Sequence, residues 1–253
     1  MKKELLNIFV VMHKEIDMSK YRLSKCYKRL MVGKKKSKID DMLFDSVGDN
    51  ISNKNKNYCE LTGLYWIWKN TNEKYVGLCH YRRFFISNWS FRILSEEKIL
   101  KILDNYDVIL PQRTKLDRTV YERYRYGHHI SDMDECKKAI EKFYPEYLKD
   151  FDKIMNDNKY YPCNMFIMSK ENLDEYCEWL FKILFEVEKK IDISDRNDYQ
   201  KRVFGFLSER LFSVWIEHQN FKIHENFMYQ TESNLIYKIR FIGFVILRKL
   251  RLY

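Results

Sequence analysis

The stretch KYVGLCHYRRFF, residues 74–85, joins two contrasting kinds of sequence. Its first half, up to Cys79, is the apolar run of a buried strand, with a β-branched and an aromatic residue. The next four residues, HYRR at 80–83, carry a histidine and two arginines. Arginine is permanently charged and binds phosphate through paired hydrogen bonds. The end of this strand therefore predicts either an anion site or a surface loop whose arginines pair with Asp or Glu.

The composition is that of a chain able to build one large core. Its 253 residues are 45% hydrophobic and 16% aromatic, with only 3 Pro and 7 Gly, which predicts ordered structure without a flexible linker. The net charge of +10 favours an anionic partner, namely nucleic acid, a phosphorylated small molecule or an acidic membrane. The six cysteines lack CxxC spacing, which predicts reduced thiols in a cytosolic protein and argues against a clustered zinc site.

Hydrophobic periodicity divides the chain into alternating strands and helices. The apolar run near the N-terminus is too short for a signal peptide and has no small-residue cleavage site, so it is predicted to be the first core strand. The alternation predicts an α/β fold with a mixed, mainly parallel sheet flanked by helices. The predicted strands are 7–12, 75–79, 106–112, 163–169 and 221–229, and the predicted helices are 58–70, one capped by Ser95, a helical region at 121–156, 170–190 and 199–219.

Two basic clusters follow predicted strands. His13 and Lys14 come after the first strand, and the HYRR residues come after the second. Ligands of such sheets bind beyond the carboxyl ends of the strands. The two clusters are therefore expected to meet at one edge, where an anion would bind.

Polar residues precede the helix at 58–70. Asp49, Asn50, Asn57 and Glu60 offer hydrogen-bonding groups there, and a helix start can bind a phosphate or a sugar hydroxyl. The alternative is that Asn57 caps the helix, with Glu60 at the third position.

Three further polar sites stand out. Asn164 is an amide within a buried strand, and it either lines a pocket or makes a structural hydrogen bond. Glu209 lies within an apolar helix, where it is either a general base or a surface partner of Arg210 or Arg202. In the segment HHISD, residues 128–132, adjacent histidines point in different directions, which argues against a shared metal and favours acceptor or phosphate binding.

The C-terminal segment 235–253 contains five Lys or Arg residues and no acid among many apolar residues. Its uninterrupted apolar run is far shorter than the roughly 20 residues of a membrane-spanning helix. We predict a basic amphipathic tail that lies on an anionic membrane surface, the alternative being a helix that docks on the core. The predicted domains are thus 1–230 and a tail at 231–253.

Four blocks of the sequence resemble one bacterial family, domain of unknown function 4422, which occurs in capsule, exopolysaccharide and O-antigen gene clusters and is classed with glycosyltransferases. The blocks are GDNISNKNKNYCELTGLYWIWKN, YVGLCHYRRFF, NMFIMSKENLDEYCEWLFKILFEVEKK and RVFGFLSERLFSVW, and the resemblance covers residues 7–215. It implies a GT-A-like fold and a nucleotide-sugar donor, with UDP as the expected nucleotide. Some members are associated with galactofuranose transfer, so galactose and galactofuranose are the candidate sugars.

The resemblance also implies roles for individual residues. In a typical GT-A enzyme an Asp-x-Asp motif binds Mn²⁺ or Mg²⁺, but no such motif ends a predicted strand here, so a metal ion stays possible without identified ligands. The arginines are expected to stabilise the leaving diphosphate instead. Glu209 is the expected base of an inverting transfer, although a retaining one stays open, and His80 is the second catalytic candidate. The implied donor-binding residues are His13, Lys14, Asp49, Asn50, Asn57, Glu60, Tyr81, Arg82, Arg83 and Asn164, and the implied acceptor-binding residues are His128, Asp132 and Arg210.

The expected protein is thus a glycosyltransferase on the cytoplasmic face of the cell membrane, acting on a polyprenyl-diphosphate-linked saccharide. Two other classes stay open, a non-catalytic basic protein that binds nucleic acid and a membrane scaffold of a polysaccharide assembly complex. Nucleic-acid binding is the runner-up and the scaffold the third hypothesis, although no nucleic-acid motif accompanies the charge.

Overall fold

A computed structural model describes residues 4–34, 36–87, 92–232 and Gly243. Within these residues, helices pack on a mixed β-sheet. None of the helices found there has both the length and the apolar composition needed to cross a bilayer. The predicted basic tail, Gly243 apart, lies outside the described residues.

The strands form one large sheet and one small one. Their bounds are β1 (Leu6–Met12), β2 (Tyr27–Met31), β3 (Leu43–Phe44), β4 (Tyr75–His80), β5 (Arg83–Ile86), β6 (Val108–Pro111), β7 (Thr114–Lys115), β8 (Lys159–Tyr160), β9 (Phe166–Ser169) and β10 (Ile223–Gln230). The helices are α1 (Asn55–Tyr58), α2 (Leu61–Asn70), α3 (Glu96–Leu103), α4 (Val120–Gly127), α5 (Ile130–Phe143), α6 (Leu148–Asn156), α7 (Lys170–Glu188) and α8 (Val203–His218). Short 3₁₀ turns, including Gln200–Arg202 just before α8, connect some of them.

The large sheet has the order β3-β2-β1-β4-β5-β10-β6-β9, and β4 also pairs with β9, which closes five strands into a ring. The pairs β1–β2, β1–β4, β2–β3 and β6–β10 are parallel, whereas β4–β5, β4–β9, β5–β10 and β6–β9 are antiparallel. The mixed sheet with flanking helices is confirmed, but the prediction that it is mainly parallel is wrong. Only two residues separate β4 from β5, and so short a connection can join only antiparallel strands.

The strand β1 separates two hydrophobic cores. All seven of its residues are buried, and alternate side chains enter opposite cores. Phe9 and Val11 join the larger core, with side chains of α2, α7 and α8, whereas Ile8 and Val10 join the smaller one, with side chains of α3. Each such side chain contributes about 1.5–3 kcal/mol when fully buried. Cores on both faces leave the strand ends as the place where polar side chains collect.

Most predicted elements are present with shifted ends, and Ser95 does cap α3 by accepting the N–H of Lys98. The predicted capping of the helix at 58–70 is wrong. The helix α2 begins at Leu61 without a side-chain cap, and the Asn57 amide instead donates to the carbonyl of Lys201 at 2.9 Å.

Candidate active site

A cavity of about 520 Å³ opens where β1 and β4 end. The ends of these strands form one wall, and further side chains come from the α1–α2 junction, from α8 and the turn before it, and from Val32 and Cys163. Its ionisable lining includes Glu60, His80, Arg82, Arg83, Arg202 and Glu209. The two basic clusters predicted to share an edge do so here, since His13 also lines the cavity and its ring packs edge-on against Tyr81 at 5.3 Å.

The two arginines are fixed by the hairpin between β4 and β5. His80 pairs with Arg83 across the turn, and Arg83 pairs in turn with Gln230 of β10. The N–H of Thr231 donates to the carbonyl of Arg82 at 2.9 Å. Backbone hydrogen bonds from neighbouring strands thus hold both guanidinium-bearing residues in place.

His80 is uncharged near neutral pH. Its Nε2 lies 2.6 Å from the carbonyl oxygen of Cys163, and because a carbonyl only accepts, this nitrogen carries the proton. Burial lowers the pKa of His80 to about 4, an effect that the hydrogen bond to Cys163 opposes. The cavity therefore owes its positive charge to the arginines and to Lys56, which also lines it, and not to this histidine.

Two carboxyl groups line the same cavity. Glu209 accepts the N–H of Cys163 at 3.2 Å and the Nη1–H of Arg210 at 3.0 Å. Burial raises the pKa of Glu209, although Arg210 opposes the shift. Burial also raises the pKa of Glu60, which accepts a hydrogen bond from the Asn164 amide at 3.0 Å. A carboxylate with a raised pKa is a stronger base than an ordinary one.

A strained loop ties these groups together. Cys163 and Asn164 have φ values of 71° and 47°, in the left-handed region that is uncommon for residues other than glycine. The backbone of Cys163 bonds both His80 and Glu209, while the amide of Asn164 bonds Glu60 at 3.0 Å and Ser208 at 2.8 Å. Such backbone costs about 1–3 kcal/mol per residue, and it is concentrated at functional sites. Asn164 thus supports Glu60 from behind and is not itself part of the cavity lining.

Arg202 is a cavity residue that sequence reasoning did not single out as a site residue. It lies in the 3₁₀ turn before α8, and its Nε donates to the Sγ of Cys59 at 3.2 Å. No local signal in the sequence singled it out. A Cβ at the nearby Gly205 would lie 3.5 Å from the Cβ of Cys59, an ordinary van der Waals contact, so that glycine does not mark the site.

Five of the predicted donor residues lie outside the cavity lining, namely Asn57 and Asn164, described above, and Lys14, Asp49 and Asn50. Lys14 is at the rim, 3.5 Å from the carboxylate of Glu232. Asp49 lies near the C-terminal end of α2, where its N–H donates to the Asn70 side chain at 3.2 Å, and the side chain of Asn50 donates to the nearby carbonyl of Gly48 at 2.7 Å. The fold brings neither Asp49 nor Asn50 to the cavity.

The three predicted acceptor residues form a second layer beside α8. Asp132 is buried and receives two hydrogen bonds from Arg196 at 2.6 and 2.8 Å. Arg210 donates to Glu209 and to the carbonyl of Phe206, both at 3.0 Å. His128 stacks on Phe206 with ring centroids 4.1 Å apart.

The ionisable side chains do not form a metal-binding cluster. No group of three His, Cys, Asp or Glu residues suited to hold an ion occurs among the residues that the structure describes. The cavity carboxylates Glu60 and Glu209 are instead bonded by protein donors. We therefore derive no step through a metal.

The chain belongs to the DUF4422 family, described as a domain of unknown function, whose profile matches residues 7–220. It is similar to the apo structure of WbbM, a bifunctional glycosyltransferase, with 30% sequence identity and a TM-score of 0.79. The match covers 90% of this chain and 45% of the WbbM chain, so this chain spans under half of the length of that protein. No curated protein matches the sequence.

Proposed function

We propose that the protein is a glycosyltransferase that moves a sugar from a nucleotide diphosphate donor to a hydroxyl of a saccharide. The observation that carries this is the cavity itself, in which three guanidinium groups and a carboxylate of raised pKa meet at the carboxyl ends of parallel strands. Similarity to a bifunctional glycosyltransferase over 90% of the chain supports the same reading.

In the proposed reaction, Glu209 removes the proton from the acceptor hydroxyl as its oxygen attacks the anomeric carbon. The bond from that carbon to the donor diphosphate breaks, its electron pair leaves with the nucleoside diphosphate, and the configuration inverts. His80 is the weaker base of the two, because burial lowers its pKa to about 4, whereas burial raises the pKa of Glu209 above that of an ordinary carboxyl group. His80 instead orients the loop at Cys163 through its Nε2–H.

The arginines stabilise the charge that develops on the leaving diphosphate. Guanidinium groups aimed at the leaving group act without rearranging, which is the main source of electrostatic catalysis. Arg82 and Arg83 reach the cavity from the sheet, and Arg202 reaches it from the segment before α8. His13, Lys14 and Tyr81 surround the remainder of the donor, which is UDP-galactose or its furanose form in this proposal.

The proposed acceptor is a polyprenyl-diphosphate-linked saccharide of capsule, exopolysaccharide or O-antigen synthesis at the inner face of the membrane. Support comes from the sequence of residues 235–253, with five cations and no acid. Each cation near an anionic bilayer contributes about 1 kcal/mol. A chain bound in this way would meet a lipid-linked substrate at the membrane surface.

The test is thermal unfolding with UDP, GDP, CMP and UDP-sugars, each with EDTA or with added Mn²⁺, followed by assay of nucleotide release with the ligand that binds. A ligand at 100 times its Kd stabilises the folded state by about 2.7 kcal/mol. We expect one nucleotide class to raise the Tm of the wild type and of the control Arg123→Ala, an exposed position on α4, but not of Arg83→Ala. Equal stabilisation of Arg83→Ala would refute the diphosphate role, and a wild type that neither binds nor turns over any donor would refute the function.

A further inference from the structure

An aromatic surface adjoins the cavity at Arg202. We call it the aromatic strip, and it consists of Tyr199, Phe206 and His128. The guanidinium of Arg202 packs 5.6 Å from the ring centroid of Phe206. The Phe206 ring lies 4.1 Å from the His128 ring and 5.0 Å from the Tyr199 ring. The strip is therefore continuous with the cavity wall.

The strip is accessible. Tyr199 is 55% exposed, and among the residues that the structure describes Tyr126 is the other aromatic residue that is exposed. The His128 and Tyr199 rings are nearly parallel, at an angle of 21° and a centroid separation of 5.9 Å. Flat aromatic faces with a polar edge fit ligands that are apolar on one side and polar on the other.

Polar groups at the edge of the strip suit a ligand rich in hydroxyl groups. The side-chain amide nitrogen of Gln200 donates to the carbonyl of Gly127 at 2.8 Å. The side-chain oxygen of Gln200 therefore faces His128 and accepts a hydrogen bond from its Nδ1–H at 3.2 Å. Burial lowers the pKa of His128, which favours the neutral ring. The neutral ring then presents its Nε2 lone pair as an acceptor for a hydroxyl.

A shallow hollow of about 420 Å³ lies beyond Gln200. Its lining supplies carboxylate, hydroxyl, amide and imidazole groups, from residues that include Asp192, Ser194, Asp195 and Asn197. Cavity, aromatic strip and hollow thus succeed one another, since Arg202 lines the first and Gln200 lines the last.

Packed side chains connect the strip to Glu209. Arg210, which bonds Glu209, packs over the ring of Tyr124, and that ring lies 4.8 Å from His128. The group proposed to activate the acceptor is thus on the same flank as the strip. This placement favours the acceptor over the nucleobase of the donor as the ligand of the strip.

We propose that the aromatic strip is a saccharide subsite for the acceptor. Tyr199 stacks on one sugar ring of the acceptor, and a different ring of the same acceptor receives the new sugar. This inference rests on the proposed function, because only a glycosyltransferase would use the bound saccharide as an acceptor. Binding of a neutral oligosaccharide at the strip can nevertheless be tested without the donor.

The experiment compares wild type, Tyr199→Ala and the control Tyr126→Ala on a printed array of bacterial surface oligosaccharides. Tyr126 is 74% exposed and also lies beside arginines, but it is outside the strip. Because Tyr199 is largely exposed, its replacement should leave thermal unfolding unchanged. We expect the wild type and Tyr126→Ala to bind the same oligosaccharides, and Tyr199→Ala to bind them at least tenfold more weakly.

A second measurement separates this inference from the function. Tyr199→Ala should raise the KM for an oligosaccharide acceptor about tenfold, and should leave unchanged the KM for the donor and the slow hydrolysis of the donor by water. Normal turnover by the wild type with no difference at Tyr199 would overturn the subsite and leave the function standing. Oligosaccharide binding that depends on Tyr199, in a protein that turns over no donor, would support the subsite and remove the function. A wild type that binds no oligosaccharide on the array would overturn the subsite.

Discussion

The charge state of His80 decides whether this residue adds to the positive charge that the arginines and Lys56 bring to the cavity. Burial lowers its pKa from 6.5 to about 4, so the folded protein binds this proton less readily than the unfolded chain does. Stability from this group is therefore complete above pH 6.5 and is lost as the pH falls towards 4. We predict that His80→Gln, which cannot titrate, removes that loss.

The size of the effect follows from the same two values. One pKa unit corresponds to about 1.4 kcal/mol, so the difference between 6.5 and about 4 corresponds to about 3 kcal/mol of unfolding free energy. The ring is only half-buried and faces an open cavity, which reduces the expected effect to roughly 1.5–3 kcal/mol. Glutamine keeps an N–H that can donate to the Cys163 carbonyl, as Nε2 of the histidine does.

The assay is urea unfolding at pH 7.5 and pH 4.5, followed by tryptophan fluorescence. Glu60 and Glu209 act in the opposite sense, because their raised pKa values make the folded state hold protons more tightly as the pH falls. The measured quantity is therefore the change in unfolding free energy between the two pH values, compared between wild type and variant. The exposed His129→Gln serves as control.

Between these two pH values the wild type should lose roughly 1.5–3 kcal/mol more stability than His80→Gln. Parallel losses in the two proteins would mean that His80 titrates normally and that its charge adds to that of the arginines. The argument that His80 adds no positive charge to the cavity would then fail.

Two further predictions concern the carboxylates. Glu209→Gln should keep an acceptor for the Cys163 N–H but lose the base, so the rate of transfer should fall about 10²–10⁴-fold while donor affinity is retained. The wild-type rate should rise with pH through the raised pKa of Glu209. An unchanged rate of product formation in stopped assays of the variant would exclude Glu209 as the base. Glu232→Gln should strengthen the binding of UDP by up to about fivefold, because Glu232 pairs with Lys14 and Arg82 at 3.5 Å and exposed pairs of this kind contribute about 0–1 kcal/mol. Binding of UDP is measured by calorimetry. Weaker binding by the variant would show that Glu232 supports the ligand instead of competing with it.

The sequence predicted the strands that carry the site better than the strands that complete the sheet. Apolar runs mark β1 and β4 because both strands are buried on two faces. The strand β2 was missed because its sequence, YKRLM, begins with three half-buried residues that include Lys28 and Arg29. The strand β5 was missed because the turn between it and β4, Tyr81–Arg82, has none of the Gly, Asn or Asp residues that signal a hairpin.

The rule that ligands bind at strand ends accounts for the residues that the fold does bring together. His13 and Arg83 are 70 positions apart in the numbering, yet both line one cavity because β1 and β4 are adjacent and parallel. The same rule does not predict which helical residues reach the cavity. Arg202 enters the cavity through the packing of α8 on the α1–α2 junction, and no local pattern encodes a contact between residues that lie 143 positions apart.

The charges around the cavity show what a diphosphate would have to replace. Arg82 is already paired with Glu232 at the rim, whereas Arg202 donates to the neutral thiol of Cys59 and forms no ion pair among the residues that the structure describes. Burial raises the pKa of the Cys59 thiol, so this contact does not neutralise Arg202, and the charge of nearby Glu60 offsets it in part. A ligand must therefore displace a carboxylate to reach Arg82, whereas Arg202 offers a charge without such competition. Affinity for an anion should consequently depend more on Arg202 than on Arg82, even though Arg82 belongs to the more conspicuous motif of the sequence.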